Sequence, residues 1–578
     1  LILSHEKGWQ VFDLDGHTLR PVFEAVTDIP DPVRNITTYA TLNGPAVISN
    51  TASGALKAWA PGKGRFDFFQ LSLTGRKDRD ANLRTNMSGI GTKVYVRIGN
   101  QWRAADTFRD HSGPGQSLQP LCIGLNGSKT ADFISLEWPD GVLQTEMGLT
   151  GNTRHKIHET QRQMSSCPVL FAWDGHSWEF VSDLLGVGGI GYAVGPGVYA
   201  DPRPWENFML PQGLIHPQEG RVKLKITEPM EEVEYLDAVS LDVYDLPPGW
   251  SMTLDERMGI TDPGPTGKPV FYNKAILPIR AVNDRGQEIL EDILERDLIA
   301  APVGRLDRRF IGRLQDEHIL TIRFERSITT REDPPGSRPV LIMDGWVEYP
   351  YSQTSFAAWQ ANAPYLAPSI DYQDTSGDWH LLWDQMGYPA GMPRQMSVPL
   401  DQLPDGVHTL RIRTNQEIYW DRVFVALASE CSDVKLHRAG LARAGLEYVG
   451  FPRRFDFDQR RPDYDFASKD GQWASRFLEG DYTRFGDVMA LLTAKDNALA
   501  IYGPGEGVHL EFEIEPEPPV KNTTRVYVLN THGWCKDMDL YTRTGETVGP
   551  VPFEGEVSPA ARRLNDEYNI RYRAGRNY

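Results

Sequence analysis

Closely spaced carboxylates are the first groups in this chain that could do chemistry. Asp456, Asp458, Asp463 and Asp465 fall within ten residues and bracket Gln459-Arg460-Arg461-Pro462. Carboxylates placed this way could furnish the oxygen ligands that calcium prefers. Arg460 and Arg461 lie between them and could neutralise them directly, so solvated loop charges are the plainer expectation. A second group combines Arg484 and Asp487 with Trp534, Lys536, Asp537 and Asp539. An aromatic ring beside carboxylates suits a sugar or a cationic ligand, so Arg484, Asp487, Trp534, Asp537 and Asp539 are expected as a ligand pocket. The competing expectation is a buried Asp–Arg or Asp–Lys network that ties turns together.

Other motifs fail on context. Gly186-Val187-Gly188-Gly189-Ile190-Gly191 has the spacing of a dinucleotide loop. Such a loop must follow a strand and open a helix. Gly195, Pro196 and Gly197 come too soon for that helix, so a glycine-rich loop packed against other backbone is predicted instead. Gly264-Pro265-Thr266-Gly267-Lys268-Pro269 has the wrong glycine spacing for a phosphate loop and Pro where a hydroxyl should reach the metal. His155 and His158 lie three apart in an alternating run, and on a strand such residues face opposite ways. Neither His-Glu-x-x-His nor Gly-x-Ser-x-Gly occurs. Cys122, Cys167, Cys431 and Cys535 form no Cys-x-x-Cys pair. They allow three disulfide pairings or buried free thiols, and sequence cannot choose.

The elements that must carry these groups read as strands. Gly (53) and Pro (41) punctuate the chain throughout, between short alternating runs. Val94, Val96 and Ile98 share a face, and Arg221–Ile226 alternates cationic and apolar residues. Leu510, Phe512 and Ile514 oppose Glu511, Glu513 and Glu515. Each run predicts a half-buried strand of an antiparallel sheet, one face on a core and one in water. Helical signals are few. Ile289, Leu290, Ile293 and Leu294 have helical spacing, Val488–Leu492 reads as a short helix, and Ser558-Pro559 reads as an N-cap followed by Pro.

The balance of 60 Lys+Arg against 78 Asp+Glu gives a net charge of −18. A polyanion would be repelled, so nucleic acid is not an expected partner. No run approaches the ~20 apolar residues of a membrane-spanning helix. The chain opens on Leu1-Ile2-Leu3-Ser4 without Met, which leads to the expectation of a processed chain with a preceding portion.

One stretch resembles a known family. It runs through Asn86-Met87-Ser88-Gly89-Ile90-Gly91-Thr92-Lys93-Val94, then Gly113-Pro114-Gly115-Gln116-Ser117-Leu118-Gln119, then Ile123-Gly124-Leu125, and closes on Ile134-Ser135-Leu136-Glu137-Trp138-Pro139-Asp140-Gly141. This order resembles the ASPIC/UnbV domain, with departures at Asn126 and at Cys122-Ile123. The resemblance implies an FG-GAP or VCBS-type β-propeller ahead of it, as in cartilage-acidic-protein-like proteins. Asp13-Leu14-Asp15-Gly16 is only a truncated echo of that propeller's calcium loop.

The expected architecture is mainly β, with few short helices. It comprises the tail of an FG-GAP-like propeller (1–65), an ASPIC/UnbV-like β-domain (66–160), a β-rich domain (161–336), a jelly-roll or galactose-binding-like sandwich (337–431) and a C-terminal β-rich domain with a terminal helix (432–578). Between Gly345 and Trp420, the residues Trp346, Tyr349, Tyr351, Trp359, Gln360, Tyr365, Tyr372, Trp379 and Trp383 are compatible with carbohydrate binding. The functional expectation is a non-catalytic secreted, periplasmic or cell-surface scaffold that binds proteins or glycans, with calcium as the one cofactor considered. The alternative is a carbohydrate-active or other extracellular hydrolase whose carboxylate pair the sequence does not reveal.

Overall fold

A computed structural model describes residues 2–575 apart from 16–17, 27–30, 64, 76–84, 109–119, 140–142, 160–166, 260–263, 331–332, 349, 471–476, 516–522 and 540. The Gly113–Gln119 motif, Asp140, Gly141, Gly16 and Tyr349 fall outside the described residues. Strands hold 53% of residues and helices 6%, so the chain is mainly β as expected. It divides into two compact units, Leu1–Gln161 and Arg162–Tyr578.

The first unit begins with two three-stranded antiparallel sheets, one spanning Ile2–Val26 and one spanning Val33–Trp59. A second pair of sheets follows, of three and four strands. Phe68–Thr74 pairs with Leu121–Gly124 and, in parallel, with Arg154–His158. Lys93–Ile98, Gln101–Asp106, Thr130–Glu137 and Leu143–Thr150 form the other. Phe69, Leu71, Val94, Val96, Ile134, Leu136 and Trp138 fill the core between them, so the predicted alternation at 94–98 holds. The Asn-x-x-Gly-Ile-Gly motif is a built turn. The Asn86 side-chain Oδ1 accepts from the Ile90 backbone amide at 2.8 Å, and its Nδ2 donates to the Ile90 backbone carbonyl at 2.7 Å. Gly89 has φ +61°, and a Cβ there would lie 2.7 Å from the Leu73 carbonyl, so only glycine fits.

The second unit holds two large antiparallel sheets. A ten-stranded sheet runs in the order Trp178–Asp183, Val169–Trp173, Arg221–Glu228, Glu506–Glu513, Lys435–Tyr448, Glu232–Leu246, Thr524–Asp537 and Trp205–Met209, with two short strands at its side. A nine-stranded sheet lies wholly within Ser251–Ala428 and is organised on the strand Thr409–Ala428. The expected boundary at 336/337 falls inside the nine-stranded sheet, between the strands Arg313–Phe324 and Arg338–Glu348, and the one at 431/432 falls where that sheet ends and the strand Lys435–Tyr448 of the ten-stranded sheet begins. Strands from 221–246 pair with strands from 435–537, and the nine-stranded sheet is nested between them in sequence. Composition reports local breakers such as Asp333-Pro334-Pro335-Gly336, whereas sheet membership is set by long-range pairing that leaves no local trace.

The alternating strands behave as predicted on one face. Val222, Leu224 and Ile226 pack with Leu510 and Phe512 in one core. The other face is less wet than expected. Lys225 is buried, ion-paired with Glu447, and sits 5.1 Å from the Trp178 ring. A hairpin of Pro452–Asp456 and Pro462–Lys469 covers this side, with Phe466 against Phe171 at 5.0 Å. Ser558 caps the helix Pro559–Tyr568 as predicted, its hydroxyl accepting from the Ala561 amide at 3.1 Å. Ile289–Leu294 holds only the single 3-10 turn Glu291–Ile293, and Val488–Leu492 holds the short helix Met489–Leu492. The helix Ser352–Gln360 was not anticipated.

Buried charge fastens the two sheets together. Arg394, on the strand Arg394–Pro399 of the nested sheet, meets Asp183 at 2.7 Å and also Glu206, both on strands of the ten-stranded sheet. All three side chains are buried. Removing one partner from such a group leaves uncompensated interior charge and costs ~3–5 kcal/mol. Arg394→Met is expected to destabilise by about that amount in urea unfolding, whereas Arg309→Met, whose side chain is 66% exposed, leaves the urea midpoint nearly unchanged.

A second expectation concerns pH. Burial, helped by Arg285, lowers the His318 imidazole below its ordinary 6.5 against the pull of Asp284, which lies 2.6 Å from Nδ1. The unfolded chain takes up that proton first, so the group's contribution to stability falls as pH drops through 6.5. His318→Gln is expected to flatten the dependence of the urea midpoint on pH between about pH 5 and 7.

Candidate functional site

One strand pair builds the site. Glu232–Leu246 and Thr524–Asp537 run antiparallel, with Glu232 opposite Asp537, Val233 opposite Lys536, Glu234 opposite Cys535 and Tyr235 opposite Trp534. Side chains alternate, so Glu232, Glu234, Cys535 and Asp537 share one face. Val233, Tyr235, Trp534 and Lys536 share the other. On that second face Val233, Tyr235 and Trp534 pack with Leu478 and Tyr482. The Lys536 ammonium donates to the carbonyls of Thr547 (2.9 Å), Val548 (3.2 Å) and Gly549 (3.0 Å). Burial pushes its pKa down to about 8.

The first face gathers acids and thiols. Ligand atoms of Cys167, Glu232 and Cys535 lie within 4.8 Å of one another, and so do those of Glu228, Glu232 and Glu234. All five side chains are buried. Glu228 Oε1 accepts from the Met230 amide at 2.6 Å. Glu228 Oε2, Glu232 Oε2 and both oxygens of Glu234 receive no hydrogen bond. Burial raises Glu232 and Glu234 well above the carboxylate range and Glu228 to about 8. Hydrogen bonding with Cys167, together with burial, raises the Cys535 thiol. None of the four cysteines forms a disulfide, so none of the three pairings is made.

A cavity of about 660 Å³ opens over this face, and Cys167, Glu232, Cys535 and Asp537 line it. One wall is the glycine-rich loop. Gly186–Gly188 forms a single 3-10 turn and no helix follows, so the expectation of a packed loop is met. The Ile190 amide donates to the Cys535 carbonyl at 2.9 Å. A Cβ at Gly188 would lie 2.7 Å from the Gly533 carbonyl. The other wall comes from the nested sheet's connections. The helix Ser352–Gln360 contributes Ser355, Ala358 and Trp359, and Tyr351, Tyr365 and Tyr388 add aromatic surface. Tyr192 joins the walls by donating from its hydroxyl to the Pro350 carbonyl at 2.6 Å.

The residues singled out in the sequence are only partly brought together. Asp537 lines the cavity and Trp534 packs behind it, on the opposite face of the same strand. Asp539 is buried and accepts from the amides of Gln353 (3.1 Å) and Tyr541 (2.9 Å), so it holds a loop rather than a ligand. Arg484 stacks on Tyr568 at 4.2 Å and Asp487 caps the Met489 amide at 2.9 Å; neither lines the cavity. The five therefore do not form one pocket.

The four aspartates on the covering hairpin fare similarly. Asp458 is exposed. Asp463 accepts from the Tyr464 amide at 2.7 Å, and Asp465 accepts from the amides and hydroxyl of its own turn. The side chain of Asp456 is outside the described residues. Among the described residues, no metal-sized group of ligand atoms includes Asp458, Asp463 or Asp465. Arg460 turns away from them to Glu417, at 2.7 Å. Glu228, Glu232 and Glu234 escaped the sequence reading. The signal for two of them was Glu232 and Glu234 alternating with Val233 and Tyr235 at the head of a strand.

Residues 82–164 match the family model described as ASPIC and UnbV, which agrees with the resemblance carried by Asn86–Gly141. No curated protein matches the chain. Among solved structures, the cryo-EM structure of the arabinofuranosyltransferase AftD from Mycobacteria is 11% identical, with a TM-score of 0.13. The match covers 85% of this chain and 32% of that one, and so slight a likeness informs neither fold nor function.

The tight packing of the loop gives a test. Gly188→Ala is expected to destabilise by about 1–3 kcal/mol in urea unfolding. Gly195→Ala, with nothing within 4 Å of the added carbon, is expected to be neutral.

Proposed function

We infer that the chain is a binding module of a secreted, periplasmic or cell-surface protein, and that it recognises glycans through the cavity of residues 162–578. The observation that carries this reading is the combination of Trp359, 55% exposed, with Tyr351, Tyr365 and Tyr388 and the planar polar groups of Asn362, Gln385 and Gln416 around one cavity. Flat apolar faces beside fixed amides suit the alternating C–H and hydroxyl surfaces of a sugar ring. Residues 1–65 are read as the end of an FG-GAP-like propeller, supported by their two antiparallel three-stranded sheets. In that arrangement the propeller and the ASPIC/UnbV domain serve assembly, and the following unit serves recognition.

A hydrolase is the second reading, favoured by one observation. Glu232 and Asp537 sit opposite each other in register and both line the aromatic cavity. Paired carboxylates at a sugar site are what glycoside hydrolysis requires.

A glycan array followed by titration calorimetry on the full chain tests the first reading. Trp359→Ala is expected to weaken binding roughly 2–10-fold, the worth of one stacked ring, without loss of folding. Binding of no glycan would contradict it, and turnover of the bound glycan would select the hydrolase.

A further inference from the structure

We propose that Cys167, Cys535 and Glu232 hold a zinc ion whose fourth coordination position opens onto the cavity. The fold brings these residues from three segments. Cys167 precedes the strand Val169–Trp173, Glu232 opens the strand Glu232–Leu246, and Cys535 lies near the end of Thr524–Asp537. One ligand atom from each lies within 4.8 Å of the other two. Two sulfurs and a carboxylate oxygen form a donor set that suits zinc, and hard cations such as calcium and magnesium take oxygen alone.

Charge supplies the second line of support. Glu228, Glu232 and Glu234 are fully buried within a few ångströms of one another, and the oxygens facing inward receive no donor. Both oxygens of Glu234 lack one. A cluster of interior acids without a cation is costly, and a divalent ion relieves it. A Cys167–Cys535 disulfide would leave it unrelieved. Zinc binding replaces the two thiol protons, which pass to solvent, with two sulfur–zinc bonds. One of those protons is the one that Cys535 Sγ now shares with the Leu185 carbonyl at 3.5 Å.

Three protein ligands with the remaining position open is the arrangement of zinc sites that act on a bound molecule, as distinct from closed structural sites. Cys167, Glu232 and Cys535 all line the cavity, so a ligand entering it would meet the ion directly. Glu228 and Glu234 lie beside Glu232, their ligand atoms within 4.8 Å of its own, where they flank the ion's carboxylate ligand.

Cobalt titration of the full chain, first stripped with a chelator under a reducing phosphine, tests the proposal. No glycan is present, so the outcome is separate from that of the glycan reading. One equivalent of cobalt is expected to give a sulfur-to-cobalt charge-transfer band with the visible bands of a tetrahedral site, and zinc should displace it. Cys535→Ser is expected to abolish the band and Cys431→Ser to leave it unchanged. Should Cys535→Ser fail to fold, Glu232→Gln, which keeps the side-chain volume, is expected to weaken the metal roughly tenfold or more. Three results would overturn the proposal. They are no band in folded, fully reduced protein, an undiminished band in folded Cys535→Ser or Glu232→Gln, and a Cys167–Cys535 cross-link in protein isolated without reductant.

Discussion

A single buried guanidinium holds the second unit together. Arg394 reaches from the nested sheet to Asp183 and Glu206 on the outer one, and each carboxylate has a further duty. Asp183 accepts from the Met392 amide at 3.1 Å, and Glu206 accepts from the Leu185 amide at the head of the glycine-rich loop. Arg394 thus joins the sheets and also fixes the chain that becomes one wall of the cavity. Interior charge of this kind tolerates no slippage, because any shift strands a carboxylate in a medium that cannot solvate it. Arg460 with Glu417, and Arg203 with Glu256, repeat the device at other points where outer and nested segments meet.

The cavity is therefore a consequence of nesting. Its floor belongs to the outer sheet and much of its opposite wall to the connections of the inserted one. The floor has a sharp polarity. Across one strand pair, Lys536 donates to three carbonyls on one face, while Glu232, Glu234 and Cys535 crowd the other. The cationic side is satisfied and the anionic side is not. Acid oxygens left without partners on this face suit a ligand that carries positive charge.

Much of the fold was legible in the sequence. The alternation at Val94–Ile98 and at Arg221–Ile226, the Ser558-Pro559 cap and the ASPIC/UnbV signature each have a local physical cause, so a short window reveals them. The nested topology was not legible, since pairing Glu232–Leu246 with Thr524–Asp537 is a long-range choice. The site was hidden for the same reason. Glu231-Glu232-Val233-Glu234 reads as solvated charge until its partner strand is known, and Cys167 and Cys535 share no motif. The aspartates of the 456–465 hairpin are the converse case, close in sequence. Their spacing is local and suggestive, but Asp463 and Asp465 cap their own backbone, while Tyr464 and Phe466 turn inward to cover Phe171 and Phe180.

The central claim is that the floor of the cavity is a cation site. Diffraction data collected on either side of the zinc absorption edge, from crystals of the full chain grown with zinc, test it most directly. An anomalous peak bounded by the sulfurs of Cys167 and Cys535 and the carboxylate of Glu232 is the expected result. Continuous density between the two sulfurs, with no peak beside them, would contradict the account.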